Sequence, residues 1–89
     1  MTEIKFDCIK IQSKEYKTKG STLRKHEDVI DIEFTNKSPI DDVFSLLNII
    51  TSFSISKEKE VNEQEEHDFF IYKVINIDKN TVSLKKVNP

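Results

Sequence analysis

Two adjacent aspartates, Asp41 and Asp42, are the residue pair whose types could most directly do chemistry. A pair of carboxylates could bind a metal ion or exchange protons with a substrate. On a helix, however, adjacent side chains point about 100° apart, so these two carboxylates would not converge. Carboxylates are also favoured in the first turn of a helix, where backbone N–H groups lack partners. The pair therefore indicates the start of a helix rather than a site.

The two histidines and the single cysteine do not form a recognisable site either. A zinc site needs three or four ligands, and neither His26 nor His67 has further ligands at a metal-binding spacing. Cys8 could act as a nucleophile only if a histidine met it in space, and its place in an alternating segment predicts a buried, inert thiol. A chain with one glycine also lacks the Gly-rich loops that hold phosphates. We predict no catalytic residue, no metal and no cofactor, and we expect a protein that is not an enzyme, with an enzyme as the least favoured alternative.

The composition predicts a small soluble domain. A chain of 89 residues is expected to form one domain, 1–89, and 36% hydrophobic with 34% charged residues is typical of a globular protein. A single cysteine excludes an internal disulfide, which favours a reducing compartment. No apolar run approaches the length of a transmembrane helix. We expect a cytoplasmic protein that does not contact a membrane.

The first third of the chain predicts two strands separated by a loop. Residues 3–17 alternate, but the apolar parity changes at Cys8–Ile9, which predicts a bulge or a strand covered on both faces. The segment "KTKGST" that follows holds the only glycine and is predicted as a loop. Residues 28–35 alternate cleanly and predict the second strand.

A helix is predicted next. Ser38 suits the N-cap and Pro39 the first helical position. Apolar residues then recur at helical spacing, which predicts a helix over 39–50 with one buried stripe. The stripe contains Ile40, Val43, Phe44, Leu47 and Ile50, widened by Leu46 and Ile49.

The last part of the chain predicts three strands joined by short connections. Such connections favour an antiparallel meander, with a tight turn at "DKN". The whole chain is therefore predicted as a single α+β domain of order β-β-α-β-β-β. One amphipathic helix would pack on a curved, mainly antiparallel sheet, as a roll or a β-grasp-like arrangement. The predicted strands are "SFSIS", extending as far as Val61, then residues 67–77, then "TVSLKKV".

An aromatic run in the predicted strand 67–77 raises the question of what covers the sheet. Strict alternation would place Phe69 and Ile71 on one side and Phe70 and Tyr72 on the other. One small helix cannot cover both sides. Either the sheet curls on itself, or an apolar patch remains for a protein partner.

Charge is distributed unevenly, although the net charge is only −2. Residues 10–26 are basic, and residues 58–68 are acidic. The basic segment could contact phosphates, with Tyr16 available for stacking, or could be a solvated loop. The acidic segment could mimic nucleic acid, could solubilise a hairpin tip, or could pair with the basic segment of another copy in a homo-oligomer.

These observations favour a small non-enzymatic protein–protein interaction protein. Its composition is rich in Lys, Ile and Asn, which is typical of AT-rich genomes. This indicates a low-GC bacterium or one of its phages or mobile elements. Such a protein would act by binding a host or assembly protein. The alternative is a nucleic-acid-binding module that uses the basic 14–25 loop. The candidate partner-binding residues are Lys17, Lys19, Arg24, Lys25, Glu63, Glu65, Glu66, Phe70 and Tyr72.

Overall fold

The computed structural model describes residues 1–57 and 65–88, with the backbone alone for Glu65. Strands make up most of this part of the chain, together with one short helix. The elements in chain order are β1 (Thr2–Ile11), β2 (Lys14–His26), β3 (Val29–Glu33), α1 (Ser38–Asp42), β4 (Ile50–Lys57), β5 (Glu65–Asp78) and β6 (Thr81–Lys86).

The six strands form a closed antiparallel barrel in the spatial order β1-β2-β3-β6-β5-β4. The barrel consists of two three-stranded meanders, β1–β3 and β4–β6. The meanders meet along two seams, between β3 and β6 and between β1 and β4. The β1–β4 seam has four residue pairs, from Cys8–Ser56 to Ile11–Phe53. The prediction of an α+β sheet covered by an amphipathic helix is therefore wrong, because the sheet covers its own inner face.

The first meander corrects the predicted strand and loop boundaries. A two-residue turn at Gln12 and Ser13 divides the predicted strand 3–17 into β1 and β2. Both residues have positive φ, 52° and 69°. Turns of this kind usually contain Asn or Gly, so the sequence carries no strong turn signal here.

The segment "KTKGST" lies within β2 and is not a loop. Gly20, at φ 84°, belongs to a bulge in which the single residue Asp7 of β1 faces three residues of β2. The Gly20 N–H donates to Asp7 Oδ1 at 3.4 Å. The register shifts between Phe6 and Cys8, which confirms the bulge that the change of parity predicts. Glycine here serves a strand irregularity rather than a chain reversal.

The predicted helix 39–50 is also wrong, because α1 ends at Asp42. Lys37 occupies the N-cap without a side-chain capping bond, and the Ser38 N–H donates to Asn36 Oδ1 at 2.9 Å. Beyond the helix, the Val74 N–H of β5 donates to Ile49 O at 2.8 Å. Pairing with the sheet therefore overrides the helical periodicity of this segment.

The barrel interior is filled by side chains from every strand and from α1. Its aromatic residues are in contact, with Phe34 stacked on Phe44 at 6.1 Å and Phe44 edge-on to Phe53 at 6.1 Å. Phe44 has no exposed surface and anchors the chain just after α1. The largest fully buried side chains are Phe6, Phe34, Phe44, Ile9, Ile11, Leu23, Ile30, Ile32, Ile55, Leu84, Val74 and Val82.

The second meander has the antiparallel pairing predicted from the short connections. β4 pairs with β5, and β5 pairs with β6 around a tight turn in which Asp78 faces Thr81. Within that turn it is Lys79, at φ 54°, that takes the left-handed conformation. The predicted tight turn at "DKN" is confirmed.

Candidate partner-binding surface

A second bulge lies between β4 and β5, where the aromatic run crosses the sheet. Thr51 pairs with Tyr72 and Phe53 pairs with Phe69, so Phe70 and Ile71 together face only Ser52. As a result Phe69 and Tyr72 both point into the barrel, while the two residues between them point outward. The predicted alternation of this run is wrong, because the extra residue in β5 changes its parity.

The backbone of Ile71 is held in an unusual conformation at this bulge. Its φ is 60°, a region in which a β-branched residue is strained by about 1–3 kcal/mol. Its N–H donates to Ser52 Oγ at 2.8 Å, and its carbonyl accepts from the Val87 N–H at 2.9 Å. These bonds fix the geometry that exposes 65% of Phe70 and 52% of Ile71.

Further apolar side chains extend this exposed pair along β5. The chain preceding β4 runs beside β5, because the Asn48 N–H donates to Val74 O at 2.8 Å. Ile75 is the extra residue of a third bulge, between β5 and β6, and is also exposed. We use the term apolar surface for six exposed residues, namely Leu46, Leu47, Ile50, Phe70, Ile71 and Ile75.

Two lysines lie beside the apolar surface on neighbouring strands. Lys73 of β5 is the cross-strand partner of Ile50 in β4 and of Lys85 in β6. Lys73 alternates with the buried Tyr72 and Val74, so it faces outward with its lysine partner. Among the described residues, neither lysine has an ion-pair partner.

The basic residues predicted to bind a partner lie along β2 and do not form one cluster. Lys17 and Lys19 are exposed near the first bulge, about 20 Å along the strand from Lys25. Arg24 and Lys25 are adjacent, so they point to opposite sides of the sheet. The expectation of a basic loop over 14–25 is wrong, because this segment is strand β2.

Several charged residues of the first meander are already paired within the chain. Arg24 Nε lies 3.2 Å from Glu3 Oε2, and His26 Nε2 lies 3.3 Å from Asp31 Oδ2.

Lys14 Nζ, at the start of β2, lies 3.3 Å from Asp42 Oδ2. The hydrogen bond that Lys14 donates to Asp42, together with Tyr16, raises the pKa of Lys14. Asp42 therefore pairs with a lysine rather than with Asp41, and the two carboxylates do not act together.

The acidic candidates are described only in part. Glu63 lies outside the described residues, and for Glu65 the backbone alone is described, paired with Lys57. Glu66 is exposed at the start of β5, opposite Ser56.

Tyr72 differs from the other candidates because it lies in the core. Only 3% of its surface is exposed, and its ring lies 6.2 Å from that of Phe53. Burial, together with the negative charge of Asp28, raises the pKa of the Tyr72 hydroxyl. Of the predicted aromatic pair, Phe70 alone is exposed.

The residues considered for chemistry are dispersed. Cys8 is a buried thiol in β1, His26 lies at the end of β2, and His67 is partly exposed in β5. Across residues 1–57 and 65–88, no group of three His, Cys, Asp or Glu side chains could hold a metal ion. In the same part of the chain, no helix has the length and apolarity to cross a membrane.

No protein-family model matches the chain, and no curated protein or solved structure matches it either.

Sequence reasoning missed most of the apolar surface. Leu46, Leu47 and Ile50 fit a buried helical stripe, while Lys73 and Lys85 look like isolated strand lysines. A usable signal was the width of that stripe, since seven apolar residues over 40–50 exceed what one face of a short helix can bury.

Proposed function

We propose that the protein is a non-enzymatic interaction protein that binds a partner protein through the apolar surface. The observation that carries this proposal is the pair Phe70 and Ile71, turned outward together by a bulge whose backbone is strained. A small barrel has little apolar area to spare, and clustered exposed apolar side chains usually mark an interface.

The strain at Ile71 supports the proposal, because other residue types would form this bulge with a lower conformational energy. Glycine or asparagine would adopt a φ of 60° with less strain and would expose less apolar surface. Strained backbone tends to be retained at functional positions. An isoleucine at this position is accounted for by contact with a partner.

The proposal is tested by capture followed by reconstitution. The immobilised chain is exposed to lysates of low-GC bacteria, and each captured protein is purified and titrated calorimetrically against the chain. We expect the double substitution Leu47→Ser with Phe70→Ser to weaken binding at least about tenfold, since buried apolar anchors dominate interface energy.

The matched control is Lys17→Ser with Lys19→Ser, which changes two exposed residues of β2 outside the apolar surface. It should leave binding unchanged. The proposal fails if every reconstituted partner binds the Leu47→Ser/Phe70→Ser variant as tightly as the unaltered chain. It also fails if only the β2 variant loses binding, which would instead support recognition by the basic residues.

A further inference from the structure

Where charged residues face each other across neighbouring described strands, their charges are opposite in sign, with one exception. In the described ladders, directly opposed charged residues otherwise have opposite signs. These pairs are Glu3–Arg24, Arg24–Asp31 and Lys10–Glu15. Lys73 and Lys85 are the like-charged exception among the described residues. Like charges directly opposite one another destabilise a sheet, so the fold itself gives no reason for this pair.

The exception is placed where a partner would meet it. One outward-facing row of residues crosses the sheet from Ile50 through Lys73 and Lys85 to Val29. The row begins within the apolar surface and continues directly into the two lysines. Whatever covers the apolar surface therefore lies next to two positive charges that lack ion-pair partners among the described residues.

We infer that the partner presents a segment in which carboxylates flank apolar side chains. Its apolar residues would cover Leu47, Ile50 and Phe70, and its carboxylates would lie on Lys73 and Lys85. Opposite charges at the border of an apolar contact select a partner and fix its register. This inference rests on the proposed function and adds the chemistry of the partner to it.

Three other occupants fit the surface less well. An anionic membrane or a polynucleotide presents an extended negative surface, which the net charge of −2 and the outward-facing Glu66 and Asp68 on the same strand would oppose. The apolar surface is also mainly aliphatic, whereas single-stranded nucleic acid is bound by stacking on aromatic rings. A second copy docked by two-fold symmetry would bring four lysines into one interface.

The test selects peptides from a random library displayed on phage, using the immobilised full chain. Selected peptides are synthesised and titrated by fluorescence anisotropy against three variants. We expect the selected peptides to be enriched in Asp and Glu next to Leu, Ile or Phe. We expect the variant Lys73→Glu/Lys85→Glu to bind them about tenfold more weakly, because attraction becomes repulsion.

The other two variants separate this inference from the proposed function. Lys17→Glu/Lys19→Glu makes the same change of charge on β2 and should bind within about twofold of the unaltered chain, since its charges lie away from the apolar surface. Leu47→Ser/Phe70→Ser should abolish binding. Two outcomes overturn the inference but leave the proposed function standing. In the first, the selected peptides need Leu47 and Phe70 but are not enriched in Asp and Glu. In the second, they need Leu47 and Phe70 but bind the Lys73→Glu/Lys85→Glu variant as tightly as the unaltered chain.

If no selected peptide responds to Leu47→Ser/Phe70→Ser, both the inference and the proposed function fail. Two further probes test the other occupants directly. These are vesicles of phosphatidylcholine with phosphatidylglycerol and a fluorescent oligothymidylate. The inference is overturned if either probe binds the chain and the Lys73→Glu/Lys85→Glu variant loses that binding. It is also overturned if the chain that binds peptides forms a dimer and that dimer requires Leu47 and Phe70. Absence of binding to both probes by a monomeric chain supports the inference.

Discussion

Two of the three bulges in the described strands are built from very different residues. At the bulge between β1 and β2, a glycine takes the positive φ and a buried serine, Ser21, is hydrogen-bonded to the surrounding chain. At the bulge between β4 and β5, an isoleucine takes the positive φ, and its neighbour Phe70 is left in solvent. At the first bulge the positive φ is taken by glycine, which tolerates it best. At the second bulge it is taken by a β-branched residue, which is strained there.

This difference separates what the fold requires from what it tolerates. At the first bulge, Gly20 suits its positive φ and Ser21 is held by hydrogen bonds, although Thr18 Oγ1 is buried there without a hydrogen-bond partner. Ile71 and Phe70 have no such explanation, and Lys73 lies just beyond them on β5, opposite Lys85 of β6. The proposed partner would account for these residues, because contacts with it would offset the stability that the free protein loses there.

The largest expected effect distinguishes the core from the apolar surface. Phe44→Ala should lower the free energy of unfolding by about 3–5 kcal/mol, because it leaves a cavity between Phe34 and Phe53. Leu47→Ala, three residues later, should change it by no more than about 0.5 kcal/mol, since Leu47 is exposed. Urea denaturation measures both. A large loss at Leu47 would show that the apolar surface is part of the core.

The next effect compares the serine hydroxyls at the two bulges. Ser21 Oγ donates to Thr18 O at 2.6 Å and accepts from the Thr35 N–H at 3.1 Å. Ser21→Ala should cost about 2 kcal/mol, because buried groups lose their partner. Ser52→Ala should cost about 0.5 kcal/mol, because water can replace the bond to the exposed Ile71 N–H. Equal losses in thermal or chemical denaturation would contradict the distinction between the bulges.

Exchanging the residues with positive φ should give effects of opposite sign. A Cβ at Gly20 would meet only ordinary contact, 3.8 Å from Thr35 Cγ2, so Gly20→Ala should cost about 1 kcal/mol through its φ of 84° alone. Ile71→Asn should raise the free energy of unfolding by about 0.5–1 kcal/mol, because asparagine tolerates this conformation. If Ile71→Asn instead destabilises the chain, the isoleucine stabilises the barrel, and the two bulges do not differ in the way described.

The smallest effect is a pair of charge reversals. Arg24→Glu should lower the free energy of unfolding by about 0.5 kcal/mol, because it opposes Glu3 and Asp31 with a like charge. Lys85→Glu should raise it by a similar amount, about 0.5 kcal/mol, by placing an opposite charge across from Lys73. The two differences should shrink in high salt. If both substitutions change the free energy of unfolding in the same direction at low salt, the structure gives no reason to think that the lysines are retained for a partner.

The sequence predicted the strands whose signals are local. Alternation located β3 and β6, and the parity change at Cys8–Ile9 located the first bulge, because both patterns are written in neighbouring residues. The closure of the barrel could not be predicted in this way. It depends on β1 meeting β4 and β3 meeting β6, and no local pattern encodes pairing over such distances.

The apolar surface was hidden for a related reason. The residues Leu46, Leu47 and Ile50 carry a helical period, yet the chain after Phe44 pairs with β5, and that pairing decides which side chains remain in water. The outward turn of Phe70 depends on one extra residue in a strand, which alternation alone cannot locate. The apolar residues on both parities of β5 predicted either a curled sheet or an exposed patch, and the closed barrel confirms the curled sheet.

The four-pair seam between β1 and β4 has a consequence for how the protein folds. Each meander is built from neighbouring strands and can form early, but both seams join residues roughly half a chain apart, and such contacts slow folding. Until β4 arrives, β1 is an edge strand with an apolar inner face, a species prone to aggregate. The yield of folded protein should therefore depend on the rate of barrel closure, and lower temperature or slower synthesis should improve it.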